Sequence, residues 1–111
     1  MEFKALETDE QLAGIKEAKG YSVIFKHNTT CPISKGVKRE LDEEIDKFPE
    51  ETSLYILDLL KHRNISDAIA ADFNVKHESP QLLLIKDGQC TYNEALYDIN
   101  VEDTTKEILK N

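Results

Sequence analysis

Residues 21–34 read YSVIFKHNTTCPIS, and this stretch decides the fold that we expect. Residues 21–26 are rich in β-forming side chains and apolar at their centre, which is typical of a strand buried on both faces. A polar loop, residues 27–30, follows, and Cys31 then stands directly before a proline, which is favoured in the first turn of a helix. The stretch therefore predicts a thiol at the start of a helix, shortly after a central strand.

The helix that begins at this cysteine carries the clearest apolar periodicity in the chain. Its apolar residues recur every three or four positions, as expected of one buried stripe that ends before Pro49. They are Ile33, Val37, Leu41, Ile45 and Phe48. We therefore expect one long amphipathic helix after the central strand.

The remaining elements alternate between helix and strand. A capping-box pair, Thr8 and Gln11, predicts a first helix from about residue 9 to residue 18. Further strands are predicted over 53–58 and 81–85, with a partner strand from 89 after an Asp87-Gly88 turn and an edge strand within 2–6. Further helices are predicted over 66–73 and 101–109. Helices between strands imply parallel pairing, and the hairpin adds an antiparallel strand. The length suits a single domain, 1–111, with an α/β fold and a mixed sheet of four to five strands flanked by helices.

The charge of the chain excludes some classes of partner. A formal net charge of −8 at pH 7 argues against a nucleic acid or an anionic membrane surface as the partner. The acidity is uneven, because residues 21–39 contain no Asp or Glu. The basic residues in that range are Lys26, Lys35, Lys38 and Arg39. The locally positive stretch therefore surrounds Cys31.

Targeting segments and metal-ligand patterns are not recognisable in the sequence. No segment approaches the roughly 18 apolar residues of a membrane span, and residues 1–7 lack a basic region followed by an apolar run. We therefore expect a cytoplasmic protein with no membrane partner. Cys31, Cys90 and the three scattered histidines do not have the spacing of metal ligands, so we predict no bound metal.

Short motifs carry a resemblance to a known superfamily. A strand ending in residues 25–27 (FKH), residues 31–34 (CPIS) opening a long helix, and residues 79–80 (SP) before a strand resemble the thioredoxin and glutaredoxin superfamily. More narrowly, residues 30–34 (TCPIS) together with residues 77–81 (HESPQ) resemble the monothiol bacilliredoxins, small thioredoxin-like proteins of low-GC Gram-positive bacteria. The order and spacing of these motifs cover nearly the whole chain.

This resemblance implies a function, a co-substrate and a set of site residues. The family removes bacillithiol from proteins that carry it as a mixed disulfide, which makes Cys31 the attacking thiol. The implied partners are bacillithiolated client proteins, bacillithiol itself, and indirectly a pyridine-nucleotide-dependent flavoprotein that reduces bacillithiol disulfide. No cofactor is expected to be bound. The expected catalytic residues are Cys31, Ser34 and a cis Pro80, and the expected substrate-binding residues are Lys26, Thr30, Pro32, His77 and Ser79.

Two positions depart from the dithiol members of the superfamily. Ser34 stands where those members have a second cysteine, three residues after the first, so no disulfide can form within the motif. Phe25 falls about where thioredoxin has a buried carboxylate that handles protons, which argues against disulfide reduction of the thioredoxin type.

Cys31 must reach its thiolate form, since the thiolate is the attacking species. The partial positive charge of a helix N-terminus, the hydroxyl of Ser34 and the charge of Lys26 or Lys35 all favour that form. In the expected cycle, Cys31 takes the small thiol from the mixed disulfide, and a second small thiol then frees it.

Several of these residues also have a purely structural interpretation. Ser34 is equally well explained as an ordinary polar residue of the first helical turn. His27 is interpreted first as a solvated loop residue and otherwise as a group that tunes the site or binds carboxylates of the thiol. For His77 the same two interpretations have equal weight. Cys90 most simply packs in its hairpin strand, and the alternative is a resolving cysteine.

Two other functions compete with this enzyme. One is a redox sensor or adaptor of a stress response, modified at Cys31 with little turnover, and the missing resolving thiol favours it. The other is iron–sulfur cluster carriage by analogy with monothiol glutaredoxins, although those proteins have glycine where this chain has Pro32.

Overall fold

The computed structural model describes residues 1–110, which form a five-stranded mixed sheet flanked by helices. Its strands are β1 (Lys4–Ala5), β2 (Tyr21–His27), β3 (Ser53–Asp58), β4 (Gln81–Lys86) and β5 (Gln89–Ala95). The spatial order is β1-β3-β2-β4-β5; the first three of these are parallel, whereas β4 is antiparallel to β2 and β5 is antiparallel to β4. The predicted α/β fold with a mixed sheet is confirmed, including the edge strand near the start of the chain.

Helices flank the sheet, and most of them begin where the sequence predicts. They are α1 (Asp9–Glu17), α2 (Pro32–Glu44), α3 (Arg63–Asp72) and α4 (Val101–Leu109), with 3-10 turns at Ile45–Lys47 and Leu96–Asp98. The predicted capping box of α1 is present, because Thr8 and Gln11 each accept a hydrogen bond from the other's backbone N–H. The apolar stripe after Cys31 reaches Phe48 through a change from α-helix to 3-10 turn at Ile45.

The side chains of β2 alternate between two apolar cores. Val23 and Phe25 pack in a core that includes residues of α2 and α4, whereas Ile24 packs in a core that includes residues of α1 and α3. All three side chains are fully buried. Burial of one large apolar side chain stabilises a fold by about 1.5–3 kcal/mol, so β2 holds both layers of helices onto the sheet.

Three chain segments meet at one end of this sheet. β2 ends at His27 and leads into α2, and the parallel strand β3 ends beside it at Asp58. The antiparallel strand β4 starts at the same end, since Gln81 pairs with Lys26. The Ser79–Pro80 peptide bond that precedes β4 is cis, as expected. The sheet thus brings the start of α2 and the cis-proline loop to one edge.

Two boundaries differ from the sequence-based expectation. β2 includes His27, which the sequence placed in a loop, and the side chain of His27 is buried. α3 begins at Arg63, three residues earlier than predicted, and the residue before it makes no side-chain capping bond. Within residues 1–110, no helix is both long and apolar enough to cross a membrane.

Candidate active site around Cys31

Cys31 is the N-cap residue of α2 and is partly exposed to solvent. Its backbone N–H donates to the carbonyl of Asn28 over 3.1 Å, and its carbonyl accepts the first helical hydrogen bond from Lys35 over 3.0 Å. The thiol makes no capping hydrogen bond to the helix. A partly exposed cysteine therefore lies where the first N–H groups and the positive end of the helix dipole favour an anion.

The loop before Cys31 is held by the side chain of Asn28. Its Oδ1 accepts from the Thr30 N–H over 3.0 Å and from the Thr30 hydroxyl over 2.9 Å. Such Asx turns give short polar loops a defined shape. Thr30 and Pro32 are both exposed on either side of the partly exposed Cys31.

The Ser34 hydroxyl is fully buried and hydrogen-bonded to the end of β2. The Asn28 N–H donates to Ser34 Oγ over 2.9 Å, and His27 Nδ1 lies 2.7 Å from the same oxygen. Ser34 therefore ties the first turn of α2 to the strand that precedes it. The expectation that Ser34 also donates to a Cys31 thiolate stays a prediction.

His27 is a buried member of the site, which corrects its interpretation as a solvated loop residue. Only 7% of the residue is exposed, and its ring stacks on Phe25 with 5.6 Å between the centroids. Burial lowers the pKa of His27 below 6.5, the charge of Lys38 lowers it further, and Asp58 opposes the shift. The ring is therefore neutral at pH 7. The period of two in Val23, Phe25 and His27, which places all three on one face of β2, is the sequence signal for this position.

The cis-proline loop is fixed by Gln81, which the sequence did not mark as a site residue. The Gln81 side chain is fully buried; its Oε1 accepts from the Glu78 N–H over 3.3 Å and its Nε2 donates to the Lys76 carbonyl over 3.0 Å. The Pro80 carbonyl accepts from the Leu96 N–H over 3.1 Å. Hydrogen bonds of the Gln81 side chain and of the Leu96 N–H therefore hold the loop at both of its ends.

Ser79 has a buried hydroxyl without a protein partner. Its Oγ is inaccessible to solvent and makes no hydrogen bond in the described part of the chain. An unpaired buried hydroxyl costs about 1–3 kcal/mol relative to a paired one. The cis-proline loop therefore retains an unused hydrogen-bonding group.

Lys26 is completely buried on the face of β2 opposite to His27. Its ammonium donates to the Ser66 carbonyl over 3.1 Å and lies 3.3 Å from His77 Nδ1. Burial lowers the pKa of Lys26 to about 8, although the charge of Asp67 partly opposes this shift. Because no part of Lys26 is exposed, this structure leaves no surface of Lys26 for the direct substrate contact that the sequence-based expectation gave it.

His77 is exposed overall, and its Nδ1 faces the buried ammonium. The same nitrogen lies 3.4 Å from Ser66 Oγ. Partial burial of the ring lowers the pKa of His77 below 6.5, and the positive charges of Lys26 and Arg63 add to this effect. The pair of Lys26 and His77 thus connects α3 to the loop before Pro80.

Cys90 lies at the other end of the sheet. It pairs with Ile85, whereas the site end of β4 is Gln81, and four strand residues correspond to about 13 Å. A disulfide needs Cα atoms within about 7 Å, so the geometry opposes a resolving role within one molecule. Burial also raises the pKa of the Cys90 thiol, which disfavours its thiolate. This thiol packs beside the core of α1 and α3.

A cavity of about 240 Å³ opens next to His27. Its other lining residues are Ala5, Leu6, Glu7, Thr29, Ile56, Asp58, Lys61 and His62. It therefore connects the buried end of β2 to solvent beside β1 and β3. No group of three or more metal-binding side chains is found among residues 1–110.

Comparisons with known proteins agree with this architecture. Residues 4–104 match the family described as monothiol bacilliredoxin BrxC. A solved structure described as a proposed oxidoreductase with a thioredoxin fold is 31% identical, with a TM-score of 0.81 over 92% of this chain and 89% of that one. Mitochondrial thioredoxin 3 of Saccharomyces cerevisiae is 19% identical, with a TM-score of 0.75 over 96% and 92% of the two chains. Malassezia sympodialis thioredoxin is 16% identical, with a TM-score of 0.76 over 96% and 88%. The two thioredoxins show the fold alone, and that fold is thioredoxin-like.

Proposed function

Since this chain belongs to the monothiol bacilliredoxin family, we propose that it removes bacillithiol from protein mixed disulfides through Cys31. Family and fold support a thiol–disulfide oxidoreductase role, and the proposal adds the substrate and the monothiol chemistry. The observation that carries it is the partly exposed Cys31 at the start of α2, with the buried Ser34 in place of a second cysteine.

The proposed cycle consists of two thiol–disulfide exchanges. The Cys31 thiolate attacks the bacillithiol sulfur of the mixed disulfide, so a bond from Cys31 to bacillithiol forms while the client thiolate leaves. A second bacillithiol thiolate then attacks the same bacillithiol sulfur. This step frees Cys31 and releases bacillithiol disulfide, which a separate pyridine-nucleotide-dependent flavoprotein reduces. Each step exchanges one disulfide bond for another, so neither step requires a cofactor bound to the chain.

The neighbouring residues have binding roles in this proposal. The exposed Thr30 and Pro32 contact the substrate beside the thiol. The backbone of Ser79 pairs with the main-chain-like portion of the bound thiol. His77 borders the same loop, and Lys26 acts through it. The reaction takes place in the cytoplasm, where bacillithiolated clients and free bacillithiol meet.

A bacillithiolated client protein provides the test. Catalytic amounts of this protein with excess bacillithiol should release the client thiol over many turnovers. Cys31→Ala should reduce the rate to that of bacillithiol alone, and the matched control Cys90→Ala should stay within about twofold of the wild type because Cys90 lies far from the site. An undiminished rate in Cys31→Ala would refute the proposal.

A non-catalytic redox sensor or adaptor is the second candidate, and one observation favours it. Neither Ser34 nor the distant Cys90 offers a thiol that resolves a modified Cys31 within one molecule. Intact-mass measurement separates the two functions. A sensor takes up one equivalent of bacillithiol at Cys31 and releases it slowly, whereas an enzyme loses it rapidly when free bacillithiol is added.

A further inference from the structure

We propose that His27 and Ser34 form a proton relay that carries a proton between the Cys31 thiol and water in the cavity lined by His27. The inference rests on the proposed function, because thiol–disulfide exchange removes a proton from the attacking thiol and returns one to the leaving thiol. Phe25, which stands near the position of the thioredoxin carboxylate, has no group that can accept a proton.

The hydrogen bonds of Ser34 leave few directions for its proton. A hydroxyl has one O–H group and accepts up to two hydrogen bonds. The Asn28 N–H already occupies one accepting position at 2.9 Å, and His27 Nδ1 lies at 2.7 Å. When His27 carries its proton on Nε2, Ser34 donates to Nδ1. When His27 carries its proton on Nδ1, the Ser34 oxygen accepts a hydrogen bond from Nδ1–H, and the Ser34 O–H is free to donate to another group. The tautomer of His27 therefore sets the direction in which the Ser34 O–H points.

The Cys31 sulfur is one helical turn from that hydroxyl. Cys31 is the N-cap of α2 and Ser34 is the third residue of the helix, which are the two positions that lie close enough to form a capping box. Cys31 Sγ makes no hydrogen bond in the described part of the chain. The relay therefore includes a rotation of the Cys31 side chain that brings Sγ to the Ser34 hydroxyl, where a thiolate accepts the Ser34 proton as its hydrogen bond.

The other end of the relay reaches solvent. His27 Nε2 has no hydrogen-bond partner within residues 1–110, while the ring lines the cavity of about 240 Å³, which is large enough for several water molecules. The charged and titratable groups around the imidazole are Lys35, Lys38 and Asp42 of α2, Asp58 of β3, and Glu7, Lys61 and His62 along the cavity. Burial and the charge of Lys38 keep the ring neutral at rest, as a relay between two tautomers requires.

The relay balances each proton. In the resting state Cys31 carries S–H and His27 carries its proton on Nε2. On ionisation the thiol proton moves to Ser34 Oγ, the Ser34 proton moves to His27 Nδ1, and the Nε2 proton leaves to water. The thiolate then attacks, one S–S bond forms and another breaks. When the second bacillithiol frees Cys31, the reverse sequence takes a proton from water at Nε2 and passes the Ser34 proton to the leaving Cys31 thiolate.

The two exchanges of the cycle test the return of the proton. We would measure the attack of Cys31 on a bacillithiolated peptide, divided by the measured thiolate fraction of Cys31, and separately the release of Cys31 from its own bacillithiol mixed disulfide by free bacillithiol. His27→Gln should slow the release about tenfold or more and the attack less than about twofold, because Cys31 is the leaving thiol only in the release. The matched control His62→Gln lines the same cavity without contacting Ser34, and should change neither rate. Equal effects of His27→Gln on both exchanges would overturn the relay.

The tautomer of His27 gives a test that does not depend on bacillithiol. Imidazole nitrogen chemical shifts should report the proton on Nε2 while Cys31 is a thiol and on Nδ1 once it is a thiolate. In Cys31→Ala the tautomer should not switch over the same pH range. An unswitched tautomer in the wild type overturns the relay even if the enzyme is active. Failure to release a bacillithiolated client, with the switch intact, overturns the proposed function instead.

Discussion

Lys26 and His27 are consecutive residues of β2, yet they serve opposite sides of the site. His27 bonds Ser34 at the start of α2, whereas Lys26 bonds the Ser66 carbonyl in α3 and contacts His77 before the cis-proline loop. Strand side chains alternate between faces, so one strand end positions both the helix that carries the thiol and the cis-proline loop.

The two sides differ in how their buried groups are paired. His27 is neutral and has one short hydrogen bond, which suits a low-dielectric interior. Lys26 is a cation below about pH 8, and within residues 1–110 its hydrogen-bond partners are one carbonyl and one imidazole nitrogen, with no carboxylate among them. Burying an ammonium in this way costs free energy unless its partners compensate fully. Stability should therefore be more sensitive to change at Lys26 than at His27.

The largest effect is expected from shortening Lys26. Lys26→Ala removes a buried aliphatic stem and leaves the Ser66 carbonyl unpaired, so it should lower the free energy of unfolding by about 3 kcal/mol. Lys26→Met keeps the stem and removes the buried charge, and should stay within about 1 kcal/mol of the wild type. Urea unfolding at pH 7 measures the free energy of unfolding of both variants. Similar losses in the two variants would mean that the charge, and not the packing, holds α3 to the loop.

The stability of the wild type should rise in mild alkali because of Lys26. Its pKa of about 8 in the folded state lies below the ordinary value of 10.5, so the unfolded chain binds more protons between these pH values. The free energy of unfolding should therefore increase by about 2 kcal/mol from pH 8 to pH 10 relative to Lys26→Met. If the free energy of unfolding changed equally with pH in the wild type and in Lys26→Met, this explanation would be contradicted.

A smaller effect of the same sign, stability that rises with pH, is expected at the two histidines in acid. Burial lowers the pKa of His27 and of His77 below 6.5, so the unfolded chain takes up these protons first as the pH falls. Their stabilising contribution is complete above pH 6.5 and is lost as the pH falls toward the folded-state values. Urea unfolding at pH 7 and pH 5 should show a weaker acid loss in His27→Gln than in the wild type. His27 is the more buried of the two, so its substitution should reduce the acid loss of unfolding free energy more than His77→Gln does. A larger reduction in His77→Gln would contradict this expectation.

The smallest effect is expected from Ser66→Ala. Lys26 bonds the backbone carbonyl of Ser66, and the Ser66 hydroxyl makes only a long contact of 3.4 Å with His77. Truncation should therefore change the free energy of unfolding by less than about 1 kcal/mol and leave client release unchanged. A loss comparable to that of Lys26→Ala would show that the hydroxyl, and not the carbonyl, holds the loop.

Local patterns predicted most of the elements because they reflect short-range physics. The apolar run of β2 and the stripe of α2 follow from the periods of strand and helix. The Asp87-Gly88 hairpin follows from its turn residues, which have φ of 51° and 79°. The position of Cys31 at a helix start follows from the proline after it. Where the prediction failed, at the start of α3, no capping side chain marks the boundary.

The sequence by itself determined the thioredoxin-like order of elements, the thiol at the start of α2, and the absence of a second cysteine in the motif. Only the tertiary structure decided what surrounds that thiol. Lys26 meets residues 40 and 51 positions away in the chain, and His27 becomes buried when α2 folds back onto β2. Local periodicity assigns a residue to a strand or a helix, but the partner of a buried polar side chain is set by how separate elements pack. For this reason the burial of His27 and the role of Gln81 in the site emerged only in the folded chain.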